Sequence, residues 1–317
     1  MPRAREFEII ERYFTRAVAD SAVAVGIGDD AAIVETQGPV AWAVDMLVAG
    51  THFPDALPPR AIGHRALAVN LSDLAAVGAK PRWATLALSL PGADADWLEG
   101  FAGGFFALAE RFGVSLIGGD TTRGPLTVTV GVIGEAPRAP MLRSGGRAGD
   151  RILVSGTLGA GAAGLACFAG DSSPTPDARA LIERFSYPEP RVDLGLALAG
   201  LAHAGIDISD GLVADLGHIC RQSGLGAVIE LDSLPLPESG LAVFSRGRCR
   251  EFALYGGDDY ELCFIVAPAD IGRAREAAAA AGTAVAEIGE LTAAPGIVGR
   301  HGDSSMALEP NGFAHFE

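Results

Sequence analysis

Lysine is almost missing from this chain: among 317 residues it occurs once, as Lys80. A Walker A loop needs Gly-Lys-Ser/Thr at the phosphates, and a protein kinase needs a strand lysine with an HRD catalytic loop. Lys80 stands in Gly-Ala-Lys-Pro and fits neither. Any nucleotide chemistry here therefore runs on another architecture. Basic charge is scarce in general: 24 Lys and Arg face 39 Asp and Glu, a formal charge of −15. That excludes a general nucleic-acid binder, whose affinity comes from clustered cations. The four cysteines (Cys167, Cys220, Cys249, Cys263) show no CxxC spacing and sit in apolar company. Buried thiols are expected, not zinc ligands or disulfides. The longest uncharged apolar run, around residues 194–206, is too short to span a membrane and contains His203. The N-terminal Met-Pro-Arg-Ala-Arg-Glu-Phe-Glu lacks a signal-peptide core. A cytoplasmic protein without a membrane partner is the resulting expectation.

What is present is a hydrophobic fraction of 49% and a length sufficient for two domains with their own cores. Apolar spacing predicts helices over 6–18, 58–77 and 94–112, and strands over 40–45, 83–90, 114–117 and 126–133. Residues 135–149 change character, with Pro137, Pro140, Gly145, Gly146, Gly149 and three arginines, and read as an interdomain connection. A second αβ region follows, with helices over 160–168, 192–204 and 212–220 and strands over 150–155, 227–231, 260–266 and 284–288. The expected division is 1–137 and 138–317.

Six aspartate-bearing phrases sit at the edges of apolar runs: GIGDD (Asp29, Asp30), AVDMLVAGTHF (Asp45), NLSDLAAVGAK (Asp73), IGGDTTRG (Asp120), IDISDGL (Asp207, Asp210) and GGDDYEL (Asp258, Asp259). Carboxylates beside glycines and hydroxyls, with almost no lysine, point to a site that handles phosphates through Mg²⁺. Taken singly, most phrases also fit a surface turn or a helix cap. Asn70 and Asp73 are an i,i+3 pair inside an apolar helical run, where unpaired polar groups are costly. Gly118–Gly124 carries the strongest single signal: two glycines, a carboxylate, two hydroxyls and an arginine after a short apolar strand. Gly159-Ala-Gly161-Ala-Ala-Gly164 matches GxGxxG before a helix, but no second strand ending in an acidic residue follows at the expected distance. A close-packed helix start or a phosphate-facing loop fits it better than dinucleotide binding.

In this order the phrases resemble the thiamine-monophosphate kinase family, within the ATP-binding superfamily that includes aminoimidazole ribonucleotide synthetase. The matching segments run from residue 7 to residue 316 and include GIGDDAA, LVAGTHF, ALAVNLSDLAAVGAKP, LIGGDTTRGP, LRSGGRAGD, DISDGL, GGDDYEL and the tail Gly312-Phe-Ala-His-Phe316. The resemblance implies a two-domain α/β (α+β) fold, with an N-terminal sheet domain that binds ATP and Mg²⁺ and forms a homodimer. The C-terminal αβ domain would complete the phosphate and substrate site. It implies phosphorylation of thiamine monophosphate to thiamine diphosphate by ATP, without a covalent nucleophile. By resemblance, Asp30, Asp45, Asp73, Asp120, Asp207 and Asp210 would hold several Mg²⁺ ions. Gly119, Asp120, Arg143 and Ser209 would contact ATP, and His52, Asp258 and Phe313 would border the thiamine substrate. Three positions depart from the family's pattern. Ala43 and Val44 replace frequent hydroxyl residues before Asp45, Asp258 stands for a glutamate, and Phe313 replaces a larger polar aromatic. The alternatives are another ATP-using member of the superfamily, such as an aminoimidazole ribonucleotide or selenophosphate synthetase, or a non-catalytic nucleotide-binding scaffold. The selenophosphate enzymes normally need an early reactive cysteine, and this chain has none before Cys167.

Overall fold

The computed structural model describes residues 6–310. The chain forms two compact units. One holds the chain up to Leu74 together with Ala79–Ala136; the other holds Ala75–Gly78 together with the chain from Pro137.

The first unit opens with α1 (Glu6–Ile9), which continues as a π-helical turn over Ile10–Phe14. The spacing of apolar residues predicted a helix to residue 18, but it closes earlier. The Thr15 amide and hydroxyl both donate to the Ile10 carbonyl, and Thr15 is already extended. A short antiparallel pair follows, β1 (Val23–Val25) with β2 (Ile33–Val34). Next come β3 (Val40–Val48), α2 (Pro59–Val77), β4 (Lys80–Leu90), α3 (Ala95–Phe112), β5 (Ser115–Arg123) and β6 (Thr127–Glu135). Proline at the start of α2 suits a helix N-terminus, where its missing N–H costs nothing. At α3 the Asp94 side chain accepts from the Trp97 amide at 2.8 Å, which caps the helix. The four strands order as β3-β6-β4-β5; only β4 and β5 run parallel. The edge strand β3 alternates, leaving Val40, Trp42, Val44 and Met46 44–69% exposed.

The second unit contains β7 (Arg151–Ser155), α4 (Ala160–Phe168), α5 (Pro176–Ser186), α6 (Val192–Leu198), β8 (Ala204–Ile208), α7 (Leu212–Ser223) and β9 (Gly226–Glu230). It continues with α8 (Glu238–Val243), α9 (Arg246–Tyr255), β10 (Glu261–Val266), α10 (Ile271–Ala280), β11 (Val285–Thr292), β12 (Gly296–His301) and β13 (Ser304–Leu308). Seven strands order as β13-β12-β9-β11-β7-β10-β8, with β9 and β12 the parallel pair. The helix expected over 192–204 stops at Leu198, because residues 204–208 pair as a strand with β10. Leu212, Val213, Leu216 and Ile219 of α7 and Ala253 and Leu254 of α9 pack on Ile152, Val154, Ile206, Ile208, Cys263 and Ile265 of the sheet. Each fully buried Leu, Ile or Val among them contributes about 1.5–3 kcal/mol. All four cysteines are buried free thiols, as expected.

Candidate active site

In the first unit, two acidic phrases far apart in sequence line one cavity of about 520 Å³. Asp29 and Asp30 come from the turn after β1, and Gly118, Gly119, Asp120 and Thr121 come from β5. The Gly118–Arg123 stretch was expected to be a loop after a short strand. It is strand throughout, held parallel to β4 with Gly119 opposite Leu86 and Asp120 opposite Ala87. Gly119 has φ +152°, and a Cβ there would stand 1.9 Å from the Leu86 carbonyl oxygen. Only glycine lets the two strands approach this closely. Phe7, Ile10 and Phe14 of the N-terminal helix form an apolar wall of the same cavity.

Asp45 lies inside β3, opposite Val130, and not at the strand's end as expected, because β3 pairs with β6 for three further residues. Its amide donates to Asn70 Oδ1 at 3.0 Å, and Asn70 Nδ2 donates to the Ala66 carbonyl. This satisfies the buried polar group that sequence had flagged, and it ties β3 to α2 one turn before the half-buried Asp73. His52 Nδ1 accepts from the Val48 amide at 3.0 Å, which leaves Nε2 as the proton-bearing nitrogen of the neutral ring. Asp45, His52 and Asp73 are not among the residues lining the Asp30–Asp120 cavity.

In the second unit, three chain segments meet. The turn Ser209–Gly211 joins β8 to α7, the segment Gly256–Tyr260 precedes β10, and Gly159–Gly161 begins α4. Asp258 donates its amide to the Ser209 carbonyl at 2.9 Å, and Tyr260 donates its own to Ile208 at 2.8 Å. These bonds bring Ser209, Asp210 and Asp258 together, beside the buried Asp207 at the end of β8. Arg143 is exposed; its neighbour Leu142 accepts from the Gly205 amide, and its charge reaches His218 on α7. Phe313 lies outside the described residues.

Asp215, which the sequence reading passed over, and Asp259, named there only as half of a double aspartate, organise this junction. Asp215, 3% exposed in the first turn of α7, accepts from the Ser209 and Asp210 amides at 3.0 and 3.1 Å. Burial, then the charges of Asp207 and Asp210, push its carboxyl up to about 8. Asp210 was a candidate helix cap, but α7 has no side-chain cap. Asp259, 1% exposed, accepts from the Gly159 amide at 2.6 Å and the Gly161 amide at 3.0 Å. The GxGxxG amides are therefore satisfied by the protein's own carboxylate. A Cβ at Gly161 would stand 2.2 Å from the Asp258 carbonyl oxygen. The close-packed helix start is the correct reading of that motif.

Burial pushes Asp259 up to about 7, against the two amide bonds and the Arg184 charge. A raised carboxyl holds its proton more tightly in the folded state. Its share of stability is present at low pH and is lost as pH rises through about 7. Asp259→Asn is expected to flatten the pH dependence of the melting temperature between about pH 4 and pH 7. Asp215 has the same sign in both proteins and cancels in the comparison; parallel slopes would remove the assignment.

Among the described residues, no three His, Cys, Asp or Glu side chains form a metal-holding group. The donors fit Mg²⁺ nonetheless. That ion takes one or two carboxylates and fills its remaining positions with water and substrate phosphates. All the candidates are hard oxygen donors, and Asp207 and Asp210 place negative charge close enough to raise the Asp215 carboxyl, charge that a cation would relieve.

The chain matches the AIR synthase related protein N-terminal domain over residues 28–136 and the corresponding C-terminal domain over residues 147–302. It is 45% identical to the thiamine-monophosphate kinase of Salmonella typhimurium over 294 residues, covering 91% of this chain and 90% of that one. With the Escherichia coli K12 enzyme it shares 43% over 318 residues, 98% of each. The chain belongs to the thiamine-monophosphate kinase family. Solved structures agree with this family assignment. The thiamine-monophosphate kinase of Stenotrophomonas maltophilia K279a superposes with a TM-score of 0.86 at 42% identity, covering 91% of this chain and 94% of that one. AaThiL complexed with AMPPCP and TMP gives 0.78 at 31% identity, covering 87% of each. HypE structures, at 20–22% identity, share the fold. Asp258, where the resemblance leads to an expectation of glutamate, stands in a turn whose amides bond to the Ile208 and Ser209 carbonyls at the end of β8.

Proposed function

We propose that this chain transfers the γ-phosphoryl group of ATP to thiamine monophosphate, giving thiamine diphosphate and ADP. Family membership across nearly the whole chain supports the reaction class. The observation that carries the site is the shared cavity of Asp30, Gly119 and Asp120. The nucleophile is a phosphate oxygen of the substrate, anionic at neutral pH, so no strong general base or covalent enzyme nucleophile is needed. The difficulty is bringing two anions together in line. Mg²⁺, when bound, supplies charge neutralisation between phosphates. In the first unit Asp30, Asp45, Asp73 and Asp120 would hold metal, and the Gly118–Gly119 backbone would take phosphate oxygens. In the second, Asp207 and Asp210 would hold metal, and Arg143 and Ser209 would face ATP. Each unit taken by itself, the proposed substrate-side residue is His52 in the first and Asp258 in the second; Phe313 carries the same proposal from sequence alone. The test is a comparison of thiamine monophosphate, free thiamine and aminoimidazole precursors as acceptors with ATP and Mg²⁺. The monophosphate alone is expected to turn over, and preference for an aminoimidazole precursor would transfer the chain to the alternative reading.

We also infer a cytoplasmic homodimer formed through the β3 edge. The exposed, alternating Val40, Trp42, Val44 and Met46 make an apolar face of the kind that marks an interface. Among the described residues no helix is long and apolar enough to cross a membrane. The double substitution Trp42→Glu, Val44→Glu is expected to give a monomer by sedimentation. A dimer of unchanged affinity would exclude this face.

A further inference from the structure

We infer that Asp259 and Tyr260 are positioning residues that fix the Asp258 carboxylate in one orientation for the substrate. This rests on the proposed role of Asp258 at the substrate. Among the described residues, only Asp258 (φ +61°) and Tyr260 (φ +52°) adopt positive φ without being glycine. Such a conformation persists only where the surroundings over-determine it. Here the determinants are explicit. Between the two strained residues, Asp259 sends its side chain inward, and its two carboxylate oxygens accept from Gly159 and Gly161 at the start of α4. Arg184 Nη2 donates to the Asp259 carbonyl at 2.9 Å, and the amides on either side of Asp259 are held by Ser209 and Ile208. The main chain is therefore pinned on three sides.

With the backbone pinned, a contact from Tyr260 bears directly on the side chain. The Tyr260 hydroxyl donates to Asp258 Oδ1 at 3.1 Å, and Tyr260 is itself buried at 7% exposure. A buried phenol on a fixed backbone has little rotamer freedom, so the carboxylate inherits its orientation. Asp258 is one methylene shorter than the glutamate of the family's pattern. A shorter side chain has fewer torsions to order, and its reach depends more strongly on where the backbone holds it.

Steady-state kinetics on three proteins test this. The parent chain first establishes turnover of thiamine monophosphate. Tyr260→Phe removes the hydroxyl and keeps the ring. It is expected to raise KM for thiamine monophosphate about two- to tenfold, the span of one hydrogen bond, with kcat, KM for ATP and the melting temperature unchanged. Asp259→Asn places an amide NH₂ against a backbone N–H. It is expected to raise the same KM by about tenfold or more. A purely structural role would lower stability or move both KM values together. An unchanged KM for thiamine monophosphate in Tyr260→Phe, or an equal rise in KM for ATP, overturns the inference even if Asp259→Asn fails to fold. A parent chain that makes no thiamine diphosphate would overturn the underlying reading as well.

Discussion

Asp120→Asn is expected to lower kcat/KM by about 10²–10³-fold, the range seen when one group that stabilises developing charge is removed. Asparagine has nearly the same shape but carries no charge, and only one of its two terminal atoms accepts. The cavity it faces contains Asp29 and Asp30, with the glycine backbone of β5. On the proposed metal role, the lost charge is what a hard cation needs from this wall. The fold has little reason to respond. Asp120 is exposed, and its pairing with Ala87 is made by main chain. Stability is therefore expected to change by no more than about 0.5 kcal/mol. The check is a kinetic assay beside a thermal melt. Near-parental turnover in a folded variant would remove Asp120 from the reaction.

Glu261→Gln is expected to cost about 3–5 kcal/mol of stability, the largest effect predicted away from the cavity. Glu261 is 1% exposed and accepts from Arg184 Nη2 at 2.7 Å, from Arg191 Nη2 and Nε at 2.6 and 2.7 Å, and from Ser155 Oγ at 2.5 Å. Burial alone would raise its carboxyl. The Arg191 hydrogen bond and the charges of both arginines outweigh burial and hold it below the usual glutamate range. Neutralising it takes the shared counter-charge from two guanidinium groups, each about one-fifth exposed, and leaves Arg191 only the charge of Glu189. Its linkage sign is opposite to that of Asp259. A depressed carboxyl contributes stability above its unfolded pKa and loses that contribution as pH falls through the folded value. Denaturant titration of Glu261→Gln at neutral pH measures the cost. A change under about 1 kcal/mol would mean that solvent already screens the cluster.

The site was legible in sequence where its residues are local. GIGDD and IGGDTTRG could each be picked out by glycine beside carboxylate, and the structure lines one cavity with both. Asn70 was legible because a buried amide must find a partner, and it found the Asp45 amide. What sequence could not give was pairing over distance. Nothing local to Gly118–Arg123 says that the segment stays paired along β4 and so remains a strand. Asp215 escaped notice, and Asp259 was read only as half of a double aspartate, for a similar reason. Their roles lie in accepting amides from residues five, six and about 100 positions away. One signal was available for Asp215: an acidic residue five positions after Asp210, on the apolar side of a helix, has to be satisfied. For Asp259 the adjacent Asp258 masked it, since a double aspartate reads as one turn. Helix 192–204 failed because apolar periodicity cannot distinguish a helix end from a buried strand that follows it.

The reaction proposed for this chain moves one phosphoryl group from ATP to thiamine monophosphate. The most direct measurement is the ratio of ADP to thiamine diphosphate formed by the purified chain with ATP, Mg²⁺ and thiamine monophosphate, resolved by chromatography. A one-to-one ratio that requires thiamine monophosphate is expected. ADP without thiamine diphosphate, or no ADP at all, would contradict this transfer.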